Sequence, residues 1–130
     1  LSKNHKKSSF CPVKIPISSE EELFQTVEKL KDKLIRDTFL KWCNSIGGVD
    51  FKGHTRRVLS RVFTNDFATR INFSGKGGKV KFSGLPIATQ IIASVSSSQD
   101  CTASQVEEVA KGWFKYSKDR DGGRKRRAMD

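Results

Sequence analysis

The amino-acid sequence predicts an all-α fold, a compact bundle of five to six helices with a basic Gly/Lys loop and flexible termini. Apolar residues recur at the three- and four-residue spacing of helices in several segments, and capping residues precede those segments. The chain has 130 residues, of which 35% are apolar and 30% charged, and this length suits one hydrophobic core. We therefore expect a flexible basic lead-in over residues 1–16, one helical domain over 17–120 and a basic tail over 121–130.

The first predicted elements are an extended segment and two helices. The segment from Val13 to Ile17, bracketed by prolines, is expected to lie across the domain. Ser18 or Ser19 would begin the first helix, since the glutamates that follow suit the positive end of a helix dipole. Gly47 and Gly48 would end the second, because glycine adopts the left-handed conformation easily. We expect an antiparallel helix pair with these residues inward: Leu23, Phe24, Val27, Leu30, Leu34, Phe39, Leu40, Cys43 and Ile46.

A third helix, capped by Asp50, is predicted to be amphipathic with a basic outer face. Its apolar side would carry Val58, Leu59, Val62 and Phe63. Its outer side would carry Arg56, Arg57 and Arg61. Thr64 or Asn65 would open a short fourth helix over residues 66–71, with Phe67 and Ile71 facing inward.

Residues 72–84 contain four glycines and three lysines, a composition that cannot propagate a helix. We expect a mobile loop here, with a short hairpin through Val80 and Phe82 as an alternative. Within it the Gly/Lys loop, residues 74–81, is a candidate phosphate contact, because glycine lets backbone amides approach an anion while Lys76, Lys79 and Lys81 neutralise it. A Walker nucleotide loop is excluded, since Val80 stands where that motif needs Ser or Thr. The competing interpretation is an ordinary solvated turn.

Two further helices complete the prediction. Pro86 suits the first turn of a fifth helix that would end in the serines of residues 96–98. Thr102 and Gln105 fit a capping box at the start of a last helix ending near Arg120. The predicted buried positions of the two helices are Ile87, Ile91, Ile92, Val95, Val106, Val109, Ala110 and Trp113. The outer face of the last helix would carry Lys111, Lys115 and Lys118, although Glu107 and Glu108 lie close enough in the helix to pair with them.

The charge of the chain indicates a polyanionic partner. Lys and Arg number 25 against 14 Asp and Glu, a formal net charge of +11. Residues 51–95 hold eight cations and one acid, Asp66, so the positive charge is concentrated in the middle of the chain. A membrane is not indicated, because no segment approaches the roughly 18 apolar residues of a spanning helix. The candidate DNA contacts are Arg56, Arg57, Arg61, Lys76, Lys79, Lys81, Lys111, Lys115, Lys118, Arg124, Lys125, Arg126 and Arg127.

The remaining candidate residues favour structure over chemistry. Three widely spaced cysteines without a CxxC pair indicate neither a disulfide framework nor a zinc ribbon. The two histidines and Cys43 form no recognisable catalytic set, so we expect no enzymatic activity, cofactor, metal or small-molecule substrate. Trp42 and Trp113 fit the core. Phe73 and Phe82 flank the Gly/Lys loop and could stack on bases or tuck into the core.

Five segments carry a family resemblance. They are RVLSRVF at 57–63, TNDFA at 64–68, INFSGKGGK at 71–79, TASQVEE at 102–108 and GWF at 112–114. Their order over about residues 17–120 resembles the BEN domain and, more closely, a sister domain of unknown function in arthropod and fish proteins associated with transposons or chromatin.

The resemblance implies a function as well as a fold. BEN domains are helical DNA-binding modules of transcriptional repression and chromatin organisation, often dimeric, that read DNA with the last helix and adjoining loops. By this resemblance DNA contact is expected at Lys76, Lys79, Lys81, Lys111, Lys115 and Lys118. The hypothesis is therefore a duplex-DNA-binding domain of a nuclear factor. The alternative is a module for protein interaction or self-association, with a homodimer or chromatin proteins as partners, and charge alone leaves RNA open.

Overall fold

The structure is a computed structural model that describes residues 10–120. Within that range there are six α-helices and two short strands, so the predicted all-α bundle is confirmed with a small sheet added. The elements are α1 Glu20–Lys29, α2 Lys33–Ile46, α3 Phe51–Val62, α4 Asn65–Ala68, β1 Ile71–Asn72, β2 Val80–Lys81, α5 Pro86–Ser98 and α6 Ala103–Lys115. Two 3-10 turns, Lys76–Gly78 and Ser117–Asp119, complete them. Most of the expected lead-in, residues 1–9, and the tail at 121–130 lie outside the described residues.

Side-chain caps fix where the helices begin. The hydroxyl groups of Ser19 and Thr64 and the carboxylate of Asp50 accept backbone amides of α1, α4 and α3. Thr102 and Gln105 form the reciprocal capping box of α6, so these four predicted starts are confirmed. A fifth cap was not predicted: the Asp32 carboxylate accepts the amide of the second residue of α2 at 2.8 Å. This cap begins α2 at Lys33.

Two predictions for the first helix are wrong, and the cap explains the first of them. Leu34 belongs to the first turn of α2 and is 74% exposed. Phe24 is 64% exposed on α1, away from the buried Leu23 and Leu30. The stripe of α1 is therefore narrower than the apolar residues of the sequence suggested.

Helix α5 is the centre of the bundle. It contains no charged residue, and α1, α2, α3 and α6 all contact it. The most extensive helix packing in the described chain is between α2 and α5. The expected antiparallel pair of α1 and α2 is therefore not the main packing unit, because the uncharged surface of α5 offers both helices the larger apolar contact.

The predicted extended segment is confirmed and is tied to the end of α3. Val13 and Ile17 are buried. The amide of Ile17 donates to the carbonyl of Val62 at 2.7 Å, and the amide of Thr64 donates back to the carbonyl of Ile17 at 3.0 Å. These bonds hold the segment across the turn between α3 and α4.

The predicted hairpin is wrong, because the two strands run parallel. Ile71 is paired with Val80 and Asn72 with Lys81. Gly75, Gly77 and Gly78 all have positive φ, and these left-handed residues turn the chain far enough for β2 to run in the direction of β1. The Asn72 side chain also holds the loop in one conformation. Its Oδ1 accepts a hydrogen bond from the amide of Gly75 at 2.6 Å, and its Nδ2 donates one to the carbonyl of Lys76 at 3.0 Å.

Two helix ends differ from the prediction. Helix α4 ends at Ala68, and the buried Ile71 belongs to β1. Helix α6 ends at Lys115 and a 3-10 turn follows it.

An aromatic cluster fills the space beneath these elements: the ring centroids of Phe82 and Phe114 lie 4.9 Å apart, and those of Phe63 and Phe114 lie 5.7 Å apart. Trp42 and Trp113 are buried as predicted.

Candidate nucleic-acid interface

The outer face of α3 is a row of exposed cations. Arg56, Arg57 and Arg61 are all exposed, as the sequence predicted. Lys52 is exposed one turn before Arg56 and was missed, although its four-residue spacing from Arg56 was visible in the sequence. Within residues 10–120 none of these four cations takes part in an ion pair. The nearest protein acceptor of Arg57 is the carbonyl of Ile46, 3.4 Å from Nη2.

The single acidic residue of residues 51–95 forms an ion pair within the protein. Asp66 lies 3.8 Å from the guanidinium of Arg70, and both side chains are exposed. The cations on α3 and in the Gly/Lys loop therefore have no carboxylate of this segment available to them. Their charge faces solvent, where a polyanion can reach it.

The Gly/Lys loop exposes Lys76, Lys79 and Lys81, and none of the three has an ion-pair partner in the described chain. Gly77 and Gly78 have no atom within 4 Å of the position that a Cβ would occupy. Open space and absent side chains leave the backbone accessible to a bulky anion. The loop is thus an ordered turn whose tip carries no side chains and is flanked by lysines.

The last helix lies beside this loop. The Lys111 ammonium is 5.1 Å from the centroid of the Phe73 ring and 3.0 Å from a carboxylate oxygen of Glu108. Phe73 is half-buried against the fully buried Phe82. Both rings therefore belong to the packing of the loop base. Lys111, unlike the loop lysines, has two partners within the protein.

The two other lysines of the last-helix stripe are exposed. The ammonium of Lys115 lies 5.5 Å from the centroid of the Tyr116 ring. Lys118 is in the 3-10 turn after α6. The predicted residues Arg124, Lys125, Arg126 and Arg127 lie outside the described residues.

Helix α6 connects the basic elements. It packs against α3 on one side and contacts β1, the start of the loop, on another. Through α6 the structure links α3 to the base of the Gly/Lys loop, and Lys111 contacts that base through Phe73.

A groove lies between α3 and α6, and we call it the α3–α6 groove. It encloses about 650 Å³ and is lined by Lys52 and Arg56 from α3 and by Tyr116 and Arg120 beyond α6, among others. Arg120 was predicted only as the end of the last helix. No local pattern marks it, because its partner Asn65 lies 55 positions away in the sequence.

The structure places His54, one of the two histidines for which the sequence indicated no catalytic set, in the core. The ring is fully buried. Its Nε2 lies 2.9 Å from the carbonyl oxygen of Cys43, and its Nδ1 lies 3.2 Å from the side-chain nitrogen of Gln99. Since a carbonyl can only accept, Nε2 carries the hydrogen and Nδ1 accepts from Gln99. The imidazole therefore joins α2, α3 and the end of α5.

The cysteines are free thiols. Burial raises the pKa of the Cys43 thiol far above its usual range, and Cys43 contacts His54 through its backbone carbonyl. In residues 10–120 no group of three or more His, Cys, Asp or Glu side chains is placed to hold a metal ion. No helix in this part of the chain has the length and apolar character needed to cross a membrane.

Comparison with known proteins gives one match. A family model described as "Domain of unknown function (DUF4806)" matches residues 9–95, about two thirds of the chain. This range includes α3 and the Gly/Lys loop and ends within α5. No curated protein and no solved structure matches the chain. The resemblance to BEN domains stays a prediction.

Proposed function

The chain belongs to the family Domain of unknown function (DUF4806), and we propose that it is a DNA-binding domain of a nuclear transcription- or chromatin-associated factor. In this proposal α3 and the Gly/Lys loop together grip duplex DNA. Both elements lie within the matched range, so the proposed contact belongs to the family segment of the chain.

The observation that carries the proposal is the unpaired charge of residues 51–95. Seven of the eight cations in this segment lack an ion-pair partner in the described chain, and only Arg70 is paired, with Asp66. Exposed cations that neutralise phosphates release the counterions condensed on DNA. A segment with this charge favours a polyanion over a small acidic ligand, because its cations are spread over a helix and a separate loop.

The geometry of the loop supports phosphate contact in particular. The bare tip at Gly77 and Gly78 lets backbone amides approach an anion. Lys76 and Lys79 flank that tip. Phosphate contacts of this kind position a protein on a duplex, whereas groove contacts read the sequence. We assign the loop to positioning and the exposed arginines of α3 to groove contact, since Arg recognises guanine edges with two hydrogen bonds.

The last helix has a smaller part in this proposal. Lys111 already has Glu108 and Phe73 as partners, so a phosphate would compete with them. Lys115 and Lys118 are the residues of this stripe that we expect to contact DNA.

The test is a gel-shift titration against a random duplex pool at physiological salt, with selection and sequencing of the bound DNA. We expect an enriched motif whose binding is lost in Lys79→Glu and in Arg57→Glu. The control is Lys41→Glu, which makes the same change of charge in the charge-balanced segment of residues 21–50. Equal weakening by all three variants, or no enrichment and no effect of Lys79→Glu, would contradict the proposal.

A second candidate function is self-association, and the exposure of Phe24 and Leu34 is the observation that favours it. Burial of these two side chains against a second copy of the chain would favour association. Sedimentation of nuclease-treated protein tests this candidate. A monomer at all concentrations would argue against it, and a dimer abolished by Phe24→Asp or Leu34→Asp would support it.

A further inference from the structure

The α3–α6 groove has an apolar floor. Phe51 of α3 and Val109 and Trp113 of α6 line it, and Tyr116, 55% exposed, stands at its edge. A cleft of about 650 Å³ is large enough for several side chains of a bound segment. Apolar surface left open in this way is stabilised when a partner covers it.

Gly112 deepens the groove, and nothing in the packing of the fold requires a glycine at this position. It lies in the interior of α6 and lines the groove, where glycine costs about 1 kcal/mol relative to alanine. A Cβ at this position would meet nothing within 4 Å, and its φ is not in the left-handed region, since Gly112 is absent from the positive-φ residues of the described chain. The missing side chain therefore leaves room for something outside the fold.

The charged residues around the groove are mostly cationic. The cations Lys52, Arg56 and Arg120 line the groove, and Glu108 is the acidic residue of its lining. The carboxylate of Glu108 is bound to Lys111, 3.0 Å away. The field in the groove therefore favours a negatively charged ligand.

Arg120 adds a donor that lacks an acceptor. Its guanidinium stacks on the ring of Trp113, with Cζ 3.9 Å from the centroid, and its Nε donates to the Asn65 side chain at 2.9 Å. Nη1 donates to the Trp113 carbonyl. Nη2 is buried and has no hydrogen-bond partner, although a buried donor without an acceptor is costly. Arg120 therefore contributes to the groove as a positive charge held in place by its stacking on Trp113.

We propose that the α3–α6 groove binds an acidic peptide segment of another protein that carries a large apolar side chain. The apolar side chain would lie over Gly112 against Phe51 and Trp113, and a carboxylate would lie beside the cations that line the groove. The combination of an apolar floor and a cationic rim favours this occupant over a basic or a purely polar segment. The proposed DNA contact at the Gly/Lys loop does not depend on it, whereas Arg56 belongs to both proposed surfaces.

The experiment uses a displayed library of random short peptides, selected against the chain and counter-selected against Gly112→Leu. Because a Cβ at this position meets nothing within 4 Å, leucine would extend into the groove, and Gly112→Ala is the matched control with a small side chain. We expect selected peptides to combine Asp or Glu with Phe, Leu or Trp. Their affinity, measured by fluorescence anisotropy, should fall at least about tenfold in Gly112→Leu, with a smaller loss in Gly112→Ala. Lys52→Glu should weaken the same peptides.

Three outcomes would overturn the peptide proposal. The first is a selection that yields no peptide dependent on the open groove. The second is enrichment of basic or wholly apolar peptides. The third is a dimer in sedimentation that Gly112→Leu abolishes, which would give the groove to a second copy of the chain. Duplex binding by Gly112→Leu should equal that of the unsubstituted chain, so failure of this proposal and failure of the DNA proposal are distinguishable.

Discussion

The Lys111 ammonium lies over the Phe73 ring, 5.1 Å from its centroid, and joins the last helix to the base of the Gly/Lys loop. Phe73 in turn packs on the buried Phe82, with ring centroids 6.3 Å apart. A cation held over an aromatic face is attracted by the ring quadrupole. The contact therefore fixes the loop at a constant place beside α6, and the position of its lysines follows from the core.

We predict that Lys111 and Phe73 are energetically coupled. In a double-mutant cycle with Lys111→Met and Phe73→Leu, which keep most of the apolar contact, the coupling free energy should be about 0.5 to 1 kcal/mol. Urea unfolding of the four proteins measures it. Additive single-mutant effects would show that the contact does not hold the loop.

We predict that His54 contributes more to the stability of the fold than a polar residue ordinarily does. His54→Ala should lower the free energy of unfolding by about 2 to 4 kcal/mol, because it opens a cavity and leaves the Cys43 carbonyl without its donor. Lys52→Ala on the same helix is exposed and should stay within about 0.5 kcal/mol. A loss below about 1 kcal/mol for His54→Ala would contradict the structural role assigned to the imidazole.

Two glycines are predicted to respond in opposite directions to alanine. A Cβ on Gly48 would lie 2.5 Å from the backbone nitrogen of His54, so Gly48→Ala should destabilise the chain by about 1 to 3 kcal/mol. Gly112→Ala should stabilise it by about 1 kcal/mol, because α6 gains helix propensity without a clash. Denaturation midpoints with unchanged slopes report both values. Stabilisation by Gly48→Ala would disprove the close approach of residues 47–50 to α3.

The cysteines should differ in reactivity and in pH dependence. Burial raises the pKa of Cys43 far above its usual range, and partial burial followed by the charge of Asp100 raises the pKa of Cys101. Because the folded chain holds these protons more tightly than the unfolded chain, the stabilisation they give is complete below the unfolded pKa of about 8.5 and is lost as the pH rises above it. Iodoacetamide labelling followed by mass spectrometry should modify Cys101 in the native protein and Cys43 only on unfolding. Equal labelling rates would contradict the burial of Cys43.

The helix starts were predictable because their signals are local. Ser19, Asp50, Thr64 and Thr102 each precede their helix directly, and the caps form in the structure as expected. The Asp32 cap follows the same rule. It was overlooked because the apolar spacing of residues 23–34 runs on without a visible break.

The features that could not be predicted depend on contacts between distant residues. Arg120 meets Asn65 across 55 positions, and His54 meets Gln99 across 45. The parallel direction of β2 depends on the left-handed backbone of three glycines, Gly75, Gly77 and Gly78, which composition does not specify. The exposed cations of α3 were predictable from helical spacing, whereas the groove that Lys52 and Arg56 share with α6 was not.

The most direct test of the central claim is the salt dependence of binding to duplex DNA. If about six to ten phosphates are contacted, affinity should fall by roughly three to five decades between about 50 and 200 mM salt. Neutralising Lys76, Lys79 and Lys81 together by substitution with Gln should make the log–log slope shallower by about 3, one unit for each lost phosphate contact. The same substitutions at Lys29, Lys33 and Lys41, in the charge-balanced segment, should leave the slope nearly unchanged. A flat salt response, or equal slopes for the two triple variants, would contradict phosphate binding by the Gly/Lys loop.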